Sequence, residues 1–157
     1  MGNGRSADAV QRLQEALEIQ RRLVAEEPHD LRGKRNLAVT LSMMGDPQLG
    51  SADGKLKMLE ALGLSRELVP ISPGNVKWRT DLAVVLFRLA VNEAGGGNFD
   101  TARGHLVEAI GLISNLEAEK TLSADQKGWS KIFTAALAEV QAGRKVTSGR
   151  EKVWNAF

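Results

Sequence analysis

Two histidines, His29 and His105, are the only imidazoles in the 157-residue chain. His105 stands three positions before Glu108, a spacing that puts two side chains on one face of a helix. A metal centre needs three or four converging donors, and no further His is present to complete one. A surface polar pair is therefore the reading for His105 and Glu108, and no metal is expected. His29 lies in "EEPHDL", where Asp30 is placed to cap the next helix. The run Gly95-Gly96-Gly97 has the look of a phosphate loop, but no Lys-Ser/Thr follows it and no strand precedes it. A flexible turn is expected there. The 19 acidic residues show no spacing that selects an acid–base pair and read as solvated helix faces. There is no Cys, which excludes disulfides, thiolate nucleophiles and zinc–thiolate sites. The chain is thus expected to be no enzyme and to need no cofactor.

Hydrophobic residues make up 43% of the chain and charged residues 25%, the balance of an ordinary globular domain. The net charge of +2 is too small to imply nucleic acid, although the sequence pI is about 9.1. Arg21, Arg22, Lys34 and Arg35 would form a basic patch if the first two helices pack together, with Arg32 and Arg66 nearby. Glu18, Glu26, Glu27 and Asp30 lie among them and compensate it, so nucleic-acid binding is the weaker reading. No apolar run approaches the roughly 18 residues a membrane helix needs, and no membrane role is expected. The first residues lack the apolar core of a signal peptide, and a cytoplasmic location is expected. Met1, Gly2 and Ser6 match the N-myristoylation pattern only literally, and residues 1–5 read as a disordered start.

The positioning elements are helices, and they repeat. "NLAVTL" at 36–41 recurs as "DLAVVL" at 81–86. At the same offset of 45, Ala16-Leu17 pairs with Ala61-Leu62, Ile19 with Leu64, Arg21 with Arg66, Leu23 with Leu68 and Pro28 with Pro73. A third copy follows at an offset of 48, with Ala61-Leu62-Gly63-Leu64 matching Ala109-Ile110-Gly111-Leu112 and Leu68 matching Leu116. Trp78 and "DLAVVL" have a degraded counterpart in Trp129 and "IFTAAL" at an offset of 51. Self-similarity at such a period is the mark of stacked helical repeats. Apolar residues step by three and four, which predicts six helices over 7–26, 30–44, 53–69, 75–94, 99–118 and 124–142. Ser6 and Asn98 are expected N-caps, and Ser123 with Gln126 has capping-box spacing. Pro28 and Pro73 are expected to stop helices, and Gly45, Gly95 and Gly143 to supply left-handed C-caps.

The stretch "DLAVVLFRLAVNEAGGGNFDTARGHLVEAIGLI" resembles a tetratricopeptide repeat of the degenerate, long-period bacterial type. Leu86, Leu89-Ala90, Ala102, Leu106 and Ala109 fall on that family's pattern. Leu41, Met44-Gly45, Gly54, Met58 and Ala61 take the same parts in the preceding unit. The family's Tyr position is occupied by Glu93 or Gln48, and the period of 45 exceeds the usual ~34. A HEAT-like or 14-3-3-like helical stack fits the same elements. The resemblance implies an all-α fold, a right-handed superhelical stack of about six helices in antiparallel pairs over 6–142. It implies a non-enzymatic adaptor or scaffold that binds a peptide or helix of a protein partner on its concave face. That face would carry Val39, Ser42 and Asp46, then Val84, Phe87, Arg88 and Val91, then Lys131, Ala135 and Ala138. Phe87 and Val91 stand where related proteins place a carboxylate clamp, so no such clamp is expected. A core role for these same side chains fits the sequence equally well.

In the family's frame the first helix is a second helix without its first, and the last is a first helix without its second. The chain is accordingly either an array with two half-repeats or a piece of a longer one. Residues 143–157 form a tail in which Val153, Trp154 and Phe157 share one face of a possible short helix after Ser148. They would dock back as a cap or join copies into a homo-oligomer. A self-assembling or regulatory segment of a larger bacterial signalling protein is the alternative role.

Overall fold

The computed structural model describes residues 3–46, 53–147 and 149–157, with side chains from residue 7 onward. Met1, Gly2 and Gln48, and the side chains of Ser6 and Ser148, lie outside the described residues. Among those described, the chain forms seven helices and no strand: α1 (Asn3–Glu26), α2 (Leu31–Met44), α3 (Gly54–Ile71), α4 (Val76–Gly95), α5 (Phe99–Ala118), α6 (Trp129–Gln141) and α7 (Arg150–Trp154). It divides into two compact units, Met1–Pro70 and Ile71–Phe157.

The first unit holds α1, α2 and nearly all of α3. Asp30 caps α2 as its position predicts, accepting from the Arg32 N–H at 3.0 Å. At the end of α2, Gly45 departs from the expected left-handed cap, for its φ is −75°. Its missing side chain serves packing instead. A Cβ at Gly45 would fall 2.1 Å from Met58 Cγ, and one at Gly54 would fall 3.3 Å from Gly45 Cα. The two glycines let the end of α2 cross the start of α3 at backbone distance. Helix α3 runs through Pro70 to Ile71, beyond the predicted end. A proline in the last turn removes a single backbone donor and leaves the earlier turns intact.

The second unit is built on α4. Fifteen of its residues are buried, and they cover its whole circumference. Asn75 caps it by accepting from the Trp78 N–H at 3.1 Å. The ring of Phe87 stacks on Phe133 of α6 with centroids 4.9 Å apart, and Trp129 stacks on Phe133 in turn. Helices α4, α5 and α6 end in one motif. The amide of the second residue past each cap returns to a carbonyl of the last turn: Asn98 to Glu93, Thr121 to Leu116 and Arg144 to Glu139. The residue between is left-handed in each case, Gly97, Lys120 and Gly143. Gly143 thus meets its expectation, whereas the left-handed glycine after α4 is Gly97 and not Gly95.

Two further expectations change. Asn98 begins α5 without a side-chain cap, because its amide donates to Glu93 Oε2 at 2.8 Å instead. Helix α6 starts at Trp129, five residues after the predicted 124. Gln126 Oε1 does accept from the Ser123 N–H, but the segment from 124 to 128 stays a series of turns ending at Gly128. A glycine weakens helix propagation there by roughly 1 kcal/mol relative to Ala.

Candidate interaction surfaces

The residues expected on a concave face separate by burial. Val84, Phe87, Arg88 and Val91 are buried, as is Ser42. Phe87 is fully enclosed and stacked, so it belongs to the core of the second unit. Val39 and Ala135 are half-buried, and Lys131 and Ala138 are exposed. Asp46 is half-buried. The set does not form one open surface: its apolar members from α4 are interior, and what stays accessible is peripheral.

Arg88 has a different task. Only 2% exposed, its guanidinium donates to the backbone carbonyl of Trp154 and lies 5.0 Å from the Trp154 ring centroid and 4.9 Å from that of Phe157. Arg150 covers Trp154 from its own helix, 5.4 Å from the centroid. Val153 is fully buried, and Val146 nearly so. Gly149 adopts φ +67° and approaches Ile132 of α6 so closely that a Cβ would sit 2.8 Å from two of its carbons. The tail therefore docks on its own unit, with one buried cation gripping two aromatic rings and a carbonyl. Cation–π contacts of this desolvated kind are the strong ones, about 2 kcal/mol.

The proposed basic patch is partly neutralised. Arg21 on α1 pairs with Glu60 on α3 at 2.7 Å, and Lys34 on α2 approaches Glu67 at 3.4 Å. Arg22 is exposed, and Arg35 has interactions of its own. His29 is exposed in the turn before α2, and His105 is half-buried on α5. Among the described residues no three His, Asp or Glu side chains are grouped closely enough to hold a metal. The triple glycine forms the α4–α5 turn described above.

Arg79 makes the best-defined ion pair. Its two terminal nitrogens donate to Glu119 Oε2 at 2.7 Å and Oε1 at 2.9 Å, joining the first turn of α4 to the residue that caps the end of α5. The hydrogen bonds hold the Glu119 carboxyl below its usual range and raise the Arg79 guanidinium, while partial desolvation opposes both effects. This pair fastens two helices. A cleft does open elsewhere in the second unit, where Lys131, Lys152, Gln126 and Asn155 gather at the start of α6 beside α7.

What sequence reasoning passed over is the set of large aliphatic side chains left in solvent. Ile19 and Leu23 of α1 are 50% and 51% exposed, and Leu56 and Leu59 of α3 are 68% and 40% exposed. The Arg21–Glu60 ion pair ties together the two helices that carry them. For Leu23 the signal in the sequence was the repeat itself, since it corresponds to Leu68 and Leu116, which are buried. No helix among the described residues is long and apolar enough to cross a membrane. In comparisons with known proteins, no family model, no curated protein and no solved structure matches this chain.

Proposed function

We propose that the chain is a helical-repeat interaction module, an adaptor that binds a segment of another protein and catalyses no reaction itself. Its helices are read as antiparallel pairs in a right-handed superhelical stack of tetratricopeptide type, in keeping with the threefold internal repeat. A bacterial, cytoplasmic setting rests on the sequence resemblance alone. The observation that carries the reading is the exposed aliphatic surface of the first unit, Ile19 and Leu23 on α1 with Leu56 and Leu59 on α3. Exposed aliphatic side chains on two helices tied together by an ion pair offer apolar surface for association. Docking of the tail through Arg88 favours this surface over a groove along α4, and the ion pairs of Arg21 and Lys34 weigh against nucleic acid.

The test is a triple variant, Ile19→Asp, Leu23→Asp and Leu56→Asp. All three side chains are solvent-exposed, so circular dichroism and the thermal midpoint should stay near those of the parent chain. Partners captured on the immobilised chain are identified, and their affinities are then measured against the variant. Loss of a defined partner with helicity retained supports the proposal. A chain that captures nothing saturable, or whose partners are indifferent to the variant, overturns it.

A further inference from the structure

The cleft at the start of α6 is lined entirely by residues of the second unit. Two elements build it. The turns before α6 and its first turn give Gln126, Trp129, Lys131 and Ile132, and α7 with its end gives Lys152 and Asn155. The volume is about 870 Å³, within the range of sites that take a small molecule.

The polar lining consists mainly of donors. Lys131 and Lys152 bring ammonium groups from separate helices, and neither pairs with an acid among the described residues. Gln126 commits its oxygen to the Ser123 N–H at 3.0 Å, which leaves its NH2 group to donate. Asn155 adds a second carboxamide. Helix α6 starts at Gly128, which has no side chain to cap the first amides and itself lines the cleft. The positive end of that helix therefore lies at the same place. Trp129 is 4% exposed, and its buried indole N–H has no acceptor among the described residues. A buried donor without an acceptor is costly, and an oxygen brought by a ligand would relieve it. Asp125 is the one acid of the lining and answers only one of the two ammonium charges. Trp129 and Ile132 supply apolar surface beside these groups.

We infer that this cleft binds a small organic anion bearing carboxylate or phosphate groups. Its charged oxygens take the two lysines, and its carbon frame lies against Trp129 and Ile132. One lysine belongs to α6 and the other to α7, so the bound anion bridges the two helices. Helix α7, five residues long, is marginal by itself, and a ligand that holds Lys152 fastens the tail to its unit. Anion binding and tail docking are thus linked. The inference is independent of the exposed aliphatic surface of the first unit.

The experiment titrates the full chain at low ionic strength with citrate, phosphoenolpyruvate and inorganic phosphate, and follows the backbone amides by nuclear magnetic resonance. One of the two organic anions should shift the amides of 123–132 and 152–156 saturably, with Kd below about 1 mM and more tightly than inorganic phosphate. Lys131→Gln and Lys152→Gln should each weaken binding roughly fivefold or more. Both lysines are exposed, so circular dichroism should match the parent chain. Lys77→Gln, the same change at an exposed lysine outside the cleft, should leave binding unchanged. At about ten times Kd, the amides of 150–156 should exchange roughly tenfold more slowly. Four results overturn the inference. The first is the absence of saturable shifts with either organic anion. The second is inorganic phosphate binding as tightly as both, which leaves an adventitious ion only. The third is binding indifferent to both lysine variants, and the fourth is unchanged exchange in 150–156. The triple variant of Ile19, Leu23 and Leu56 should bind the anion as the parent does, so loss of partner capture and loss of anion binding are read separately.

Discussion

Lys120 holds a position that two other helices give to glycine. It is left-handed at φ +57°, with its amide donating to Glu117 and the next amide to Leu116. A side chain in that conformation is strained, and glycine is not. Lys120→Gly should therefore stabilise the protein by roughly 0.5–1 kcal/mol, part of the relief being offset by a more flexible unfolded chain. Urea unfolding would show it as a raised midpoint with an unchanged slope. Glu119, one residue earlier, ties the same turn to Arg79. Its folded carboxyl is held below the usual range by the hydrogen bonds from Arg79. The sign follows directly. The contribution is present above the unfolded carboxyl's pKa and is lost as pH falls through the lowered folded value. Glu119→Gln should accordingly flatten the acid limb of the stability–pH curve, with little change in shape above neutrality. Because Glu119 is largely solvated, the effect should also shrink with added salt.

Helix contacts depend on side chains that are missing as well as on those present. Gly45→Ala is compatible with the backbone of residue 45, yet its Cβ would collide with Met58 Cγ and meet the Gly54 carbonyl at 3.0 Å. Overpacking of this kind costs about 1–3 kcal/mol. A double variant with Met58→Ala should recover part of the loss, so a double-mutant cycle would give a coupling far from zero. Helix α7 is only five residues long and cannot persist by itself. Arg88 holds it through a carbonyl and two aromatic faces. Arg88→Ala should release the tail: amides of residues 150–156 should exchange faster by roughly tenfold or more, and Trp154 fluorescence should shift toward that of a solvated indole. Unchanged exchange in that segment would show that the apolar contacts of Val153 and the Gly149–Ile132 approach anchor it without Arg88.

For the molecule as a whole, two substitutions of similar chemistry should part company. Phe87→Ser removes a fully enclosed ring from the centre of the second unit and places a hydroxyl there. The expected loss is about 3–5 kcal/mol, enough to unfold much of a marginally stable protein. Leu23→Asp alters an aliphatic side chain already half in water and should change stability by less than about 1 kcal/mol. Thermal unfolding of both variants by circular dichroism checks the contrast. Equal losses would mean that Leu23 is covered in solution, and light scattering of the parent chain would then show a species larger than 17.0 kDa.

The helices were legible in the sequence because their causes are local. The step of three and four at Leu13, Leu17 and Val24, the cap at Asp30 and the left-handed Gly143 act within a turn or two of themselves. Five of the six expected helices begin and end within a few residues of the observed ones, and the exception, α6, turns on a single glycine. The threefold repeat was legible for the same reason, since a duplicated unit repeats its packing residues. Which side chains face water was not legible. Phe87 and Leu23 are equally apolar positions on amphipathic patterns, and a pattern marks a face without saying what lies against it. That depends on segments far apart along the chain: Phe133 for Phe87, the Trp154 carbonyl for Arg88, Met58 for Gly45. Only tertiary packing brings these together, and so it alone decided that the α4 part of the face expected to bind is core and that Leu23 of α1 stays half in water.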